Sequence, residues 1–278
     1  MDKTVFISQT RASFPASYHF AESLKAKAKV FMSADSESIS GGDPWLSSVM
    51  KGLEQCTDFF MLISSAQEDK NRWLLFEIGY AKGRNLTPKV FLHGISQEQL
   101  GNLRLVTPQF FNRLTIDEVS FESTTSSSAV DGNDDIFVMY DPKGRAKAEK
   151  FTTLCASSNK STILVELSQP DSQSQTLEAN LGSKSSLLIL ITTIQDLQNQ
   201  WLPYWVGFAK GRGVAPKILV SSGAWIKDRF PDLVREIQMI DTGDTSRWSV
   251  ELGYALGMTI EPEPFADFFR SKPVLNWP

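Results

Sequence analysis

The segment that decides the fold is Trp73-Leu-Leu-Phe-Glu-Ile-Gly-Tyr-Ala-Lys-Gly-Arg84, which returns as Trp201-Leu-Pro-Tyr-Trp-Val-Gly-Phe-Ala-Lys-Gly-Arg212. The offset is 128 residues, seven of the twelve positions are identical, and three of the five differences exchange similar apolar or aromatic residues. The same offset aligns residues 59–65 with 187–193 and residues 88–92 with 216–220. Three blocks at one offset indicate a duplicated domain, since this period is far longer than that of a solenoid repeat.

Each copy alternates strand-like and helix-like segments. Short apolar runs are typical of strands buried on both faces. In the first copy such runs predict strands at 5–7, 30–32, 59–63 and 89–92. Helices are predicted at 18–27, 46–55 and 71–84. The second copy repeats this order from 136–138 onward. The alternation predicts an α/β fold in which each copy is a parallel sheet with helices on both faces. The expected domains are 1–118 and 135–278, joined by a polar linker at 119–134.

Composition excludes several functional classes. The chain has 278 residues and a net charge of −4, which gives no electrostatic reason to expect nucleic acid as a partner. Two cysteines and two histidines make neither a disulfide framework nor a metal site. Neither a signal peptide nor a membrane-spanning segment is visible, so a cytoplasmic protein without a membrane partner is expected.

Candidate site residues follow from the predicted sheet. Ligands bind beyond the carboxyl ends of parallel strands, where strand order reverses. The polar residues after the first three strands are Ser8, Gln9, Asp35 and Ser64. Glu77 lies one helical turn after Trp73, so the two share a helix face. The second copy has Trp205 in place of Glu77, and surface glutamates rarely become tryptophan, so we expect Glu77 to be half-buried and to face a cleft.

Several motifs of the first copy occur together in one known family. They are the strand Val5-Phe-Ile-Ser8, the loop ending Gly41-Gly-Asp-Pro-Trp45, the strand 59–64 and the pattern Trp73-Leu-Leu-Phe-Glu77. With these motifs the first copy resembles a Toll/interleukin-1 receptor (TIR) domain of the bacterial type over residues 1–118, and residues 133–278 resemble a degenerate version. The resemblance implies two flavodoxin-like (TIR-like) domains.

For enzymatically active members, the resemblance implies cleavage of the nicotinamide–ribose bond of NAD+, which is a substrate here and not a cofactor. Glu77 maps onto the family's catalytic glutamate. A carboxylate stabilises an oxocarbenium-like transition state, and nicotinamide leaves as a neutral molecule, so a histidine-poor site is adequate. The loop 33–45 resembles a segment that gates the site and joins neighbouring domains. The residues expected to contact the substrate are Ser8, Gln9, Asp35, Trp45, Ser64 and Trp73.

The resemblance also implies homotypic self-association and a role in bacterial immune or stress signalling, including antiviral defence. Two alternatives stay open. The run Glu77-Ile-Gly-Tyr-Ala-Lys-Gly83 is also similar to nucleoside 2-deoxyribosyltransferases, and a third instance carries Glu251 at 248–257. The other alternative is a non-catalytic interaction protein. The exchange of Glu77 for Trp205 favours an enzyme whose second copy is inactive and serves in assembly or sensing, since a pure scaffold has no reason to treat the copies differently.

Overall fold

The fold is described from a computed structural model. It covers residues 3–33, 45–107, 109–111, 134–168, 170, 175–192, 194–220, 237–241 and 248–260. The chain divides into two compact units, residues 1–128 and 129–278. Of the predicted linker, only Asp134 lies within the described residues, and the predicted site residue Asp35 lies outside them.

The first unit is a parallel sheet flanked by helices. Its five described strands are parallel and ordered β2-β1-β3-β4-β5. Strand β2 lies on one side of β1 and the later strands lie on the other side, so the strand order reverses between β1 and β3, as in flavodoxin-like folds. In chain order, the strands and α-helices are β1 (Thr4–Ser8), α1 (Phe14–Leu24), β2 (Lys29–Met32), α2 (Trp45–Gln55), β3 (Asp58–Ile63), α3 (Arg72–Gly83), β4 (Lys89–Leu92), α4 (Asn102–Val106) and β5 (Gln109–Phe111).

The second unit repeats this order. Its five described strands are ordered β10-β9-β8-β6-β7, and all their pairings are parallel. The elements are β6 (Ile136–Tyr140), α5 (Arg145–Ala156), β7 (Thr162–Glu166), α6 (Gln175–Asn180), β8 (Ser186–Ile191), α7 (Ile194–Gln198), α8 (Leu202–Gly211), β9 (Lys217–Val220), β10 (Gln238–Asp241) and α9 (Trp248–Leu256). The predicted α/β class with parallel sheets and flanking helices is therefore confirmed.

The strands of the first unit form because their apolar residues are buried on both faces. On one face Val5, Ile7 and Phe60 pack against Phe20 and Leu24 of α1. On the other face Phe6 stacks between Phe31 and Phe59, at ring distances of 5.3 and 5.7 Å. A Cβ on Gly52 of α2 would come within 2.6 Å of the Phe31 ring, so glycine permits the close approach of α2 to this face.

One helix and two edge strands differ from the sequence predictions. Helix α1 begins at Phe14 and ends at Leu24, earlier than the predicted 18–27. Pro15 explains the early start, because its fixed φ suits the first helical turn. The edge strands β5 and β10 were not predicted, because each contains only two consecutive apolar residues, too short a run to distinguish it from a loop. None of the helices in the described ranges has both the length and the apolar character needed to cross a bilayer.

Candidate active site

The candidate site lies where β1 and β3 end and α3 begins. Asn71 caps α3, because its Oδ1 accepts hydrogen bonds from the backbone N–H groups of Trp73 at 2.9 Å and Leu74 at 3.4 Å. This cap sets the start of the helix, so Glu77 falls at the end of its second turn, beneath the carboxyl end of β1. The switch point between β1 and β3 is where ligands bind in sheets of this order.

Glu77 is completely buried, with 0 % of its surface exposed, which differs from the half-buried position expected from sequence. Both carboxyl oxygens have donors. Ser8 Oγ lies 2.5 Å from Oε2, and Trp73 Nε1 lies 2.8 Å from Oε1. The two hydrogen bonds make full burial possible, because a buried polar group without partners is costly. Three sequence-predicted residues, Ser8, Trp73 and Glu77, are therefore brought together.

Burial raises the pKa of Glu77 from 4.5 to about 8. Desolvation is the largest cause, and the hydrogen bonds from Ser8 and then Trp73 act in the opposite direction because they stabilise the ionised form. At neutral pH the unliganded site therefore holds a largely protonated carboxyl group. A strongly perturbed carboxyl at a strand switch point is the pattern expected of a functional group.

Two tryptophans form an aromatic pair next to this carboxyl, through Trp73. The rings of Trp45 and Trp73 lie 4.5 Å apart and are inclined by 43°. Trp45, the first residue of α2, is 44 % exposed and donates from Nε1 to the carbonyl oxygen of Ser33 at 2.9 Å. Trp73 makes two contacts here: its indole N–H donates to Glu77, and its ring contacts Trp45.

A second buried carboxylate, Glu68, was not singled out from the sequence. Its Oε2 accepts hydrogen bonds from the backbone N–H groups of Ser64 and Ser65, at 2.7 and 2.8 Å, and its Oε1 binds Thr10 Oγ1. Glu68 therefore joins the loops after β1 and β3. The spacing Ser65-Ala-Gln-Glu68 is a capping-box signature and could have revealed this residue.

Gln9 and Ser64, both predicted from their place after the strands, lie at the same sheet edge; Gln9 is buried, and Ser64 is half-buried with a buried Oγ. Gln9 is 4 % exposed. Within the part of the chain that the structure describes, neither its Nε2 nor its Oε1 has a hydrogen-bond partner, and Ser64 Oγ has none either. Most buried polar side chains in proteins are paired, so these two stand out as groups available to a ligand.

The second unit lacks the polar pair of the first. In register, Ser8 pairs with Met61, and Met139 pairs with Ile189, which lies 128 positions after Met61. Met139 thus occupies the position of Ser8, just as Trp205 occupies that of Glu77. Both are buried, and Trp205 Nε1 donates to the carbonyl oxygen of Ser168 at 3.0 Å. Donor and acceptor have been replaced together by apolar side chains.

The structural parts around the pair are kept in both units. Asn199 Oδ1 accepts from the N–H of Trp201 at 2.9 Å, as Asn71 does for Trp73. Asp196 Oδ2 accepts from the N–H of Thr192 at 2.6 Å, as Glu68 does for Ser64. The two units therefore share their scaffold and differ in the groups that could do chemistry.

Among the residues described, no three or more His, Cys, Asp and Glu side chains are grouped so as to hold a metal ion. Searches of family models, curated proteins and solved structures with this chain return no match.

Proposed function

We propose that the first unit is a TIR-type NAD+ glycohydrolase or cyclase in which Glu77 is the catalytic residue. The observation that carries the proposal is the fully buried Glu77 carboxyl, held by Ser8 and Trp73 at the β1–β3 switch point. The replacement of both Ser8 and Glu77 by apolar residues in the second unit adds support, since structural hydrogen bonds elsewhere are kept.

In the proposed reaction the bond between ribose C1′ and the nicotinamide nitrogen breaks. The bonding electron pair goes to the positively charged nitrogen, so nicotinamide leaves neutral and needs no proton. Positive charge develops at C1′ and the ring oxygen, and the Glu77 carboxylate stabilises it. Water then adds to C1′ and releases a proton, or an internal nucleophile of the same molecule closes a ring.

The charge of the substrate prepares the site for this step. Glu77 is mainly protonated in the free protein because burial raises its pKa to about 8. The cationic nicotinamide ring of NAD+ favours the ionised carboxyl, so binding of NAD+ lowers this pKa and releases the proton. The active carboxylate therefore forms when the substrate that needs it is bound.

Access to Glu77 requires movement of the side chains above it, because none of its surface is exposed. Trp45 is the outer member of the aromatic pair and is bonded to Ser33, at the start of the loop that resembles the family's gating segment. We propose that homotypic self-association displaces this pair and opens the site. The role in bacterial immune signalling is likewise proposed on the resemblance.

The deciding experiment measures nicotinamide release from NAD+ by the full chain, across a range of protein concentrations and with a crowding agent. We expect Glu77→Gln to lose at least about 100-fold in kcat/KM, since it removes the charge that stabilises the transition state. Glu251→Gln is the matched control, because it makes the same change at the repeated Glu-x-Gly-Tyr-Ala motif in α9, and we expect it to keep full activity.

Three results would contradict this function. Equal release by wild type and Glu77→Gln would remove Glu77 from the mechanism. Absence of release at every concentration would favour a non-catalytic interaction protein. Exchange of deoxyribose between nucleobases, assayed with the same preparations, would point instead to a deoxyribosyltransferase-like enzyme.

A further inference from the structure

We propose that the side-chain amide of Gln9 recognises the carboxamide of the nicotinamide ring and so selects NAD+ over the analogue that carries a carboxylate there. This inference rests on the proposed function, because it names how that site chooses its substrate. The amide of Gln9 is buried, and no described residue forms a hydrogen bond with it.

Gln9 is buried at the carboxyl end of β1, yet neither of its amide atoms finds a hydrogen-bond partner among the described residues. An unpaired buried amide destabilises a fold, because the group gives up its bonds to water and receives nothing in return. Leu or Met would fill the same space without that cost. A ligand with a complementary polar group would remove it.

The position of Gln9 is tightly held on both sides. The preceding residue, Ser8, binds the Glu77 carboxyl, and the following residue, Thr10, binds Glu68. Glu68 also accepts from the N–H of Ser64. The ends of β1 and β3 are thus tied through one carboxylate, and the two unpaired side chains, Gln9 and Ser64, belong to these two neighbouring strand ends.

The chemistry of the substrate explains why an amide is useful there. If Glu77 acts at C1′ of the ribose, the group attached to C1′ is the nicotinamide ring, and its polar substituent is a carboxamide. A carboxamide presents a carbonyl oxygen that accepts and an NH2 group that donates, which match Gln9 Nε2 and Oε1 as a pair. A carboxylate presents acceptors only, so it leaves Oε1 facing another oxygen. The Ser64 hydroxyl both donates and accepts and cannot make this distinction.

The second unit supports the assignment independently. Tyr140 follows Met139 there, as Gln9 follows Ser8 in the first unit. The amide is therefore lost together with the hydroxyl and the carboxyl. A residue kept only for packing at the strand end would have no reason to change with the site.

The test compares kcat/KM for two substrates, nicotinamide release from NAD+ and nicotinic acid release from nicotinic acid adenine dinucleotide. We expect wild type to prefer NAD+ by at least about tenfold, the discrimination that one unpaired hydrogen-bonding group provides. Gln9→Met, and Gln9→Leu as a second variant, should bring this ratio close to one by slowing the reaction with NAD+. Ser64→Ala should leave the ratio unchanged. Both Gln9 variants should unfold at a Tm no lower than that of wild type.

The outcomes separate this inference from the proposed function. A wild type without preference, or a preference that survives in both Gln9 variants, overturns the role of Gln9 and leaves the NAD+ cleavage standing. If the Gln9 variants have a lower Tm and an unchanged ratio of kcat/KM for the two substrates, the role of Gln9 in selection is also overturned, and Gln9 is a structural residue. Failure of wild type to release nicotinamide, or equal release by Glu77→Gln, overturns the proposed function and this inference with it.

Discussion

At the scale of single residues, Glu77 shows how burial and hydrogen bonding oppose each other. Loss of water raises its pKa to about 8, although Ser8 and Trp73 both donate to the ionised form. The proposed chemistry needs the carboxylate, so the pKa of this one group links catalysis to pH and stability to pH.

The activity should rise with pH. We expect kcat/KM for nicotinamide release to increase up to a pH of about 8, because kcat/KM follows the ionisation of the free enzyme. The rise in kcat should come at lower pH, because bound NAD+ favours the carboxylate. Initial rates measured between pH 5 and 9 check both. A kcat/KM that is flat over this range would contradict the role given to the Glu77 carboxylate.

Trp73→Phe should move that profile. It removes the indole N–H that stabilises the ionised Glu77, so the pKa of Glu77 increases and the rise in kcat/KM shifts to higher pH. Ser8→Ala should shift it further in the same direction, since the Ser8 hydrogen bond is the larger of the two opposing causes. Trp201→Phe changes the equivalent tryptophan of the second unit and should leave the profile in place.

Stability should depend on pH through the same group. The unfolded chain ionises Glu77 near pH 4.5 and the folded protein only near pH 8, so stability is full below 4.5 and falls as the pH rises through 8. The difference corresponds to about 5 kcal/mol. Glu77→Gln cannot ionise, so its unfolding free energy relative to wild type should increase over this window. Denaturant unfolding at pH 5 and 8.5 measures it, and a constant difference would contradict a protonated Glu77.

At the scale of secondary-structure elements, the turns that lead into α3 and α8 show which parts of the duplicated unit serve the fold alone. Asn71 and Asn199 make the same bond to the N–H two residues on, and Glu68 and Asp196 both hold the loop after the central strand. These contacts lie close together in sequence, so they persist in a unit that has lost the Ser8–Glu77 pair.

Removing the Asn71 cap of α3 should cost about 1 kcal/mol of stability. Asn71→Ala should also slow nicotinamide release, because it loosens the first turn of α3, which carries Trp73 and leads to Glu77. Asn199→Ala removes the equivalent bond to the N–H of Trp201 in the turn before α8 and should leave the rate unchanged. Thermal unfolding and the release assay on both variants check this, and an equal loss of rate in both would show that these bonds do not act locally.

At the scale of the whole molecule, the chain contains two related sheets, each with its own buried core. Their strand orders are equivalent, but among the described residues the Ser8–Glu77 pair of the first sheet has no counterpart in the second. The second places Met139 and Trp205 at these positions, both buried. The proposed activity would therefore belong to the first unit, and for the second unit we propose a part in assembly or sensing.

Restoring the carboxylate in the second unit should not restore activity. Trp205→Glu, made in a Glu77→Gln background, should lose about 3–5 kcal/mol of stability, because it buries a carboxyl in a unit where Met139 stands at the position of the Ser8 donor. Nicotinamide release should stay at the level of Glu77→Gln. Recovery of release in this double variant would show that the second unit retains a working site and that its loss of Ser8 is unimportant.

Local patterns allowed much of the architecture to be predicted from the sequence. Apolar runs located the central strands because they are buried on both faces, and the constant offset of 128 revealed the duplication. Both signals can be recognised from the order of residues along the chain, without knowing which distant residues are in contact. Placing candidate residues at strand ends needed only the rule for parallel sheets, and it selected Ser8, Gln9 and Ser64.

The pairing of these residues was decided by tertiary structure. Ser8 and Glu77 are 69 positions apart, and Trp45 and Trp73 are 28 apart, so their contacts depend on how β1, α2 and α3 pack together. The sequence predicted a half-buried Glu77, whereas packing buries the side chain fully and so raises its pKa. That no described residue hydrogen-bonds the amide of Gln9 is also a tertiary property, since it depends on which groups the packing brings near. The sequence determined which groups reach the sheet edge, and the packing around them determined their charge and their partners, because desolvation and hydrogen bonding depend on contacts between distant parts of the chain.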